Sequence, residues 1–166
     1  MITPDWCRMM QAYNAEMNRR IYAAASRIPD EERRAERGVF WGSLHGTLSH
    51  LVWADMQWMG RFDGGEKPPV GLRDSGRMVA TWEEMLGHRA ALDHRIAAWV
   101  GALTPGWLAG DLAWYSGAAG RDVTRPVGLV VTHFFNHQTH HRGQAHALIT
   151  RAGESTEDTD LFLVVP

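Results

Sequence analysis

Apolar residues along this chain recur mostly at intervals of three and four, the period of helices buried on one face. The first such run begins after Thr3, Pro4 and Asp5, which read as an N-cap, a first-turn proline and a first-turn acid. Trp6, Met10, Tyr13, Met17, Ile21 and Ala24 follow at helical spacing, predicting a helix to about Arg27. Pro29 and the charged run 30–37 interrupt it, with room for one short solvated helical turn before Gly38. A second helix is predicted from about Ser43 to Phe62, with Leu44, Leu48, Leu51, Trp58 and Phe62 on one face and His50 at its flank. Glycines, prolines and polar residues from Asp63 to Gly76 form a loop. Thr81 and Glu84 are then spaced as a capping box. The third helix turns Trp82, Met85, Leu92, Ile96 and Trp99 inward and stops near Gly101. Residues 104–125 are glycine-rich and locally alternating, so a long crossover with a small hairpin is expected. Pro126 suits the start of a fourth helix running to about Arg151, and the apolar tail 161–165 is expected to dock. Four long amphipathic helices joined by unequal loops predict an all-α four-helix bundle, a fold that places metal sites between facing helices.

Composition narrows the function. A chain of 166 residues is expected to form a single domain, 1–166. Its 17 Lys plus Arg are scattered and balanced by 19 Asp plus Glu, which argues against nucleic acid or a membrane surface as partner. No apolar run reaches the length of a membrane span. One cysteine, Cys7, excludes an intrachain disulfide and, with no apolar leader, points to a cytoplasmic protein. Eight tryptophans are more than four such helices are expected to bury, so a homodimer interface is predicted.

The chemistry gathers in residues 133–144, HFFNHQTHHRGQ. Five of the nine histidines lie between His133 and His146, which makes chance clustering a poor account. Residues four apart share a helix face, so His133, His137 and His141 form one stripe that runs on through Gln144 and Leu148. Imidazoles at i and i+4 can grip one divalent ion. The plainer reading is that these are core histidines, each satisfied by a hydrogen bond; the shared stripe and the facing helix favour metal for His137 and His141. The candidate third ligand is His50. His133 has ligand spacing but can equally orient a ligand, and His45 carries the same ambiguity beside His50. His140 and His146 point elsewhere, and His88 and His94 belong to the surface. Asp55, five residues beyond His50, faces away from it and is expected to pair with a basic or amide group, Arg142 being the nearest by motif. HQTHH lacks the glutamate of HExxH, so no general base is assigned, although the crossover offers groups such as Tyr115.

These residues also carry a resemblance. NHQTHHRGQ at 136–144, LHGTLSH at 44–50 with Ala54-Asp55 downstream, Tyr13-Asn14, Asn18 and Phe40-Trp41 resemble the DinB (YfiT-like) superfamily over nearly the whole chain. Glu16 departs from it, standing where many relatives have an aromatic residue. The resemblance implies an up-down-down-up four-helix bundle, commonly dimeric, with His50, His137 and His141 holding one divalent metal. The family includes damage-inducible proteins and thiol transferases, so the implied function is activation of a water or low-molecular-weight thiol for hydrolysis or S-transfer to a small electrophile. A non-catalytic, stress-induced metal-binding dimer is the alternative. Three imidazole nitrogens suit zinc or nickel, with iron and copper also compatible.

Overall fold

A computed structural model describes residues 2–117 and 119–165, and it is mostly helical. The long helices are α1 (Pro4–Ser26), α3 (Leu44–Phe62), α4 (Trp82–Gly101) and α6 (Val127–Arg151), with short helices α2 (Asp30–Arg34), α5 (Pro105–Leu108) and α7 (Leu161–Val164) between or after them. Local chemistry sets the starts. Thr3 Oγ1 accepts from the Trp6 amide, Ser43 Oγ from Gly46, and Thr81 and Glu84 close the expected capping box.

α1 packs against α4 and α6, and α3 packs against the same two helices. The core between them falls into two apolar clusters. At one end Cys7 of α1 and Val131, Phe134 and Phe135 of α6 meet the C-terminal residues Met59 and Phe62 of α3 and Ile96, Trp99 and Val100 of α4. At the other, Ile21 and Ala25 of α1 and Ala145 and Ile149 of α6 meet Leu44, Leu48 and Met85. α1 and α6 therefore run one way, and α3 and α4 the other.

A buried polar layer separates the two clusters, and every long helix contributes to it. Asp55 of α3, 1% exposed, accepts from Arg89 Nη1 of α4 at 2.6 Å and from Gln138 Nε2 of α6 at 2.8 Å. Arg89 Nη2 also lies 2.9 Å from Asp93 Oδ1, which accepts from Asn18 Nδ2 of α1 at 2.9 Å. Arg142 of α6 donates to Asn14 of α1. Asp55 is thus paired with a basic and an amide group as expected, but the base is Arg89 and not Arg142. On the third helix Arg89 sits between Met85 and Leu92 on the inward stripe, which brings it to face Asp55.

A small antiparallel sheet departs from the all-α class. β1 (Asp111–Ser116) pairs with β2 (Arg121–Pro126), Trp114 opposite Val123, in the crossover where the alternating pattern predicted a hairpin. Alternation along β1 turns Leu112, Trp114 and Ser116 inward and leaves Tyr115 66% exposed. The tail docks only in part. Tyr13 Oη donates to the Thr159 carbonyl at 2.7 Å, while Phe162 and Leu163 face solvent, because a single helical turn cannot bury all its sides. None of the tryptophans is among the exposed large apolar residues, so they do not supply the exposed surface from which a homodimer was expected.

Candidate metal centre

His50 lies two turns inside α3, where residues 44–52 are buried on every side. Its position depends on the segment before the helix. Trp41 stacks on the His50 ring, centroids 3.9 Å apart and planes 19° apart, and Trp53 stacks beyond at 5.8 Å. Gly46 makes room for this: a Cβ there would stand 2.2 Å from the Trp41 carbonyl oxygen. Any side chain would push Trp41 off the imidazole.

His137 and His141 face His50 from α6, one turn apart. One side-chain nitrogen from each of the three lies within 4.8 Å of the others. Ring centroids are 4.4 Å apart for His137 and His141, 4.7 Å for His50 and His141, and 5.2 Å for His50 and His137. The His50 and His137 Nε2 atoms stand 3.3 Å apart, so two ring nitrogens able to serve as donors to one ion converge on the same point.

The far side of two rings is held by hydrogen bonds. His141 Nδ1 lies 2.8 Å from Gln144 Oε1, an oxygen that can only accept, so Nδ1 carries the proton and Nε2 keeps its lone pair. His50 Nδ1 lies 2.9 Å from Ser75 Oγ, in a 3₁₀ turn (Leu72–Arg77) tied to α3 by Ser49 Oγ, which donates to the Ser75 carbonyl at 2.7 Å. Ser75 is fully buried. Such outer partners fix tautomer and ring orientation in metal-binding histidines.

Burial also keeps the rings neutral. It lowers His50 and His137 to about 3, with repulsion from neighbouring histidines acting in the same direction. His141 is lowered by burial too, against the opposing hydrogen bond to Gln144. Three neutral nitrogens at neutral pH are a donor set suited to a borderline divalent ion, and they leave a tetrahedral shell one position short. The residues present therefore fit such an ion.

The other histidines divide cleanly. His133 is exposed, meets Trp58 at 5.3 Å and His137 at 5.8 Å, and stands outside the converging set. His45 is spent on the fold, its Nε2 lying 2.8 Å from the Val79 carbonyl oxygen. His140 packs on His141 from the exposed side, and His146 bonds Thr156. His88 and His94 are exposed. Cys7 is fully buried, and burial pushes its thiol up to about 11, so it is a packing residue rather than a nucleophile. Tyr115 points to solvent, and Trp114 is the crossover residue that reaches this side of the protein, meeting Trp58 at 5.7 Å.

Two contributors escaped sequence reasoning. Ser75 sits in a polar loop with no periodicity to mark it. For Trp41 the available signal is an aromatic residue just before a buried, glycine-containing helix.

Searches of curated proteins and of solved structures return no significant match. A family model does match, over residues 3–164, and its description is "DinB family". That match takes in α1, the histidines of α3 and α6 and the tail, so the chain belongs to the DinB family.

Proposed function

We propose that the protein is a divalent-metal-dependent enzyme in which His50, His137 and His141 hold one ion, zinc or nickel by preference, and that it acts on a small electrophile by hydrolysis or by transfer of a low-molecular-weight thiol. The convergence of three neutral imidazole nitrogens within 4.8 Å carries this reading, because no fourth His, Cys, Asp or Glu joins the group among the described residues. Structural zinc sites close the fourth position and catalytic ones keep it open. A bound ion would supply Lewis acidity, drawing the pKa of a water or thiol toward neutrality. The chain's own residues do the rest. Gln144 holds the His141 imidazole in the required tautomer, Ser75 orients the His50 ring, and the Trp41 and Trp53 rings cover His50 and limit water there.

The fold belonging to this reading is an up-down-down-up four-helix bundle in one domain, supported by the opposed directions of the α1/α6 and α3/α4 pairs. We place the protein in the cytoplasm, as its single cysteine suggests; among the described residues no helix is long and apolar enough to cross a membrane. A homodimer is also part of the proposal, drawn from the exposed Phe40, Leu129, Phe162 and Leu163 and not from the tryptophans.

One observation favours the alternative of a non-catalytic, stress-induced metal-binding dimer. The cavity of about 290 Å³ beside Trp41 and the one of about 150 Å³ beside Arg142 are lined by none of the three histidines. The deciding experiment measures metal in untagged protein, then assays zinc- and nickel-loaded protein with thiols and electrophiles. The enzyme reading expects about one ion per chain, lost in His141→Ala along with turnover. Equal turnover by wild type and His141→Ala overturns it.

A further inference from the structure

Nearly all of the sheltered cations in this chain have a partner. Arg20, Arg33, Arg37, Arg89, Arg95 and Arg142, all buried or half-buried, each donate to a carboxylate, amide or carbonyl oxygen. Among the described residues Arg73, Arg121 and Arg151 have none, but they are exposed, where water serves. Arg61 is the exception: it is half-buried, in the last turn of α3, and among the described residues it makes neither a hydrogen bond nor an ion pair. Burial alone perturbs its guanidinium, downward, with no acid near enough to oppose it.

What Arg61 does touch is aromatic. Its Cζ lies 4.4 Å from the Trp58 ring centroid and 5.3 Å from that of Trp114, the residue the hairpin brings to this side. Stacking of this kind occupies the face of a guanidinium and leaves its edge of N–H donors free for a planar oxyanion. None of its nitrogens is a sealed, unsatisfied atom, so that edge is open. The direction is informative as well. Trp58 meets His133, and His133 meets His137. Side chains on a helix lean toward its N-terminus, which for α3 is toward His50. An immobilised, unpaired, edge-open guanidinium thus lies along the surface that leads from the hairpin to the three histidines.

We propose that Arg61 is a substrate-recognition residue: the molecule acted on at the histidine cluster carries a carboxylate whose two oxygens take the free edge of the Arg61 guanidinium, with Trp58 and Trp114 holding that group in place. The inference rests on the cluster being a catalytic centre, and it narrows the electrophile to an anionic one. Charge-assisted paired hydrogen bonds are strong and geometrically selective, so a preset fork favours carboxylates over neutral analogues. His133, between Arg61's aromatic support and His137, lines the path and needs no ligand role.

The test uses full-length protein, with and without zinc, titrated with succinate and with neutral succinamide at constant ionic strength. Tryptophan indole N–H signals are followed by NMR, those of Trp58 and Trp114 being identified by phenylalanine substitution. Succinate is expected to shift both signals saturably and succinamide to leave them unmoved. Arg61→Met, which keeps the stem and removes the fork, should weaken succinate binding at least about tenfold. Arg61→Lys should fall between. Correct folding of each variant is read from the dispersion of the remaining indole signals. Undiminished succinate binding by folded Arg61→Met, an equal response to succinamide, or no saturable response in wild type overturns the proposal. The zinc-free arm keeps the two readings apart: a protein that takes up no metal yet binds succinate through Arg61 defeats the metal assignment alone, whereas one that binds zinc and ignores succinate defeats this inference alone.

Discussion

Replacing Asp55 by leucine should unfold this protein more readily than almost any other single change in the polar layer, and the structure says by how much. The substitution removes the acceptor of two bonds at once, from Arg89 at 2.6 Å and from Gln138 at 2.8 Å. Stripping one partner from a buried ion pair costs about 3–5 kcal/mol, because the remaining charge is left without compensation. Arg89 retains Asp93 at 2.9 Å, which argues for the lower end, about 3 kcal/mol. The unpaired Gln138 amide adds about 1 kcal/mol. The sum, about 4 kcal/mol, is a large share of the roughly 5–15 kcal/mol that holds a domain together. Arg89→Met should be similarly costly, since it strands the Asp55 carboxylate. Combining the two removes both charges, and the double variant should lose no more than about the worse single one, so the coupling should about equal the smaller single loss, roughly 3–4 kcal/mol. Urea unfolding of metal-free protein at pH 7.5, followed by far-ultraviolet circular dichroism, measures all three, with Asp55→Asn as a milder fourth if leucine leaves too little folded chain. Strictly additive losses would refute the argument, for they would mean that the two side chains do not compensate each other in the folded state.

Gln144→Leu should weaken metal binding by roughly 10- to 100-fold without changing its stoichiometry at saturation, because it frees the His141 tautomer; competition with a chromophoric chelator measures this, and an unchanged affinity means the amide does not orient the ring. Acid should destabilise the metal-free protein early. His50 and His137 resist protonation down to about 3 when folded, while the unfolded chain takes up protons near 6.5, so stability is complete above about pH 6.5 and drains as pH falls toward 3. At about 1.4 kcal/mol per pH unit for each ring, the loss approaches about 4 kcal/mol by pH 5, somewhat less for the partly exposed His137. A urea midpoint that stays flat between pH 7 and pH 5 contradicts this.

What could be read from the chain alone follows from how each feature is encoded. Helix ends and the metal-site stripe are local: a capping box needs residues three apart and a histidine stripe needs residues four apart, so Thr81/Glu84 and His137/His141 were legible from spacing. Residues that act across the fold were less so. The partner of Asp55 was expected on α6 because Arg142 lies in the histidine motif, yet the structure supplies Arg89 from α4, 34 residues away along the chain. The clue was present in the stripe Trp82, Met85, Arg89, Leu92, Ile96 and Trp99, where one arginine occupies an apolar slot. An arginine in such a slot needs an acceptor across the core, and the one acid on the facing helix α3 is Asp55. The hairpin shows the same limit at shorter range. Alternation in residues 111–116 revealed a strand pair but not which face lay inward, and a one-residue choice of face decides whether Tyr115 or Trp114 reaches the site. The structure chooses Trp114, and that choice sets an indole beside Arg61, so the case for a carboxylate-bearing substrate begins from a strand orientation that spacing alone left open.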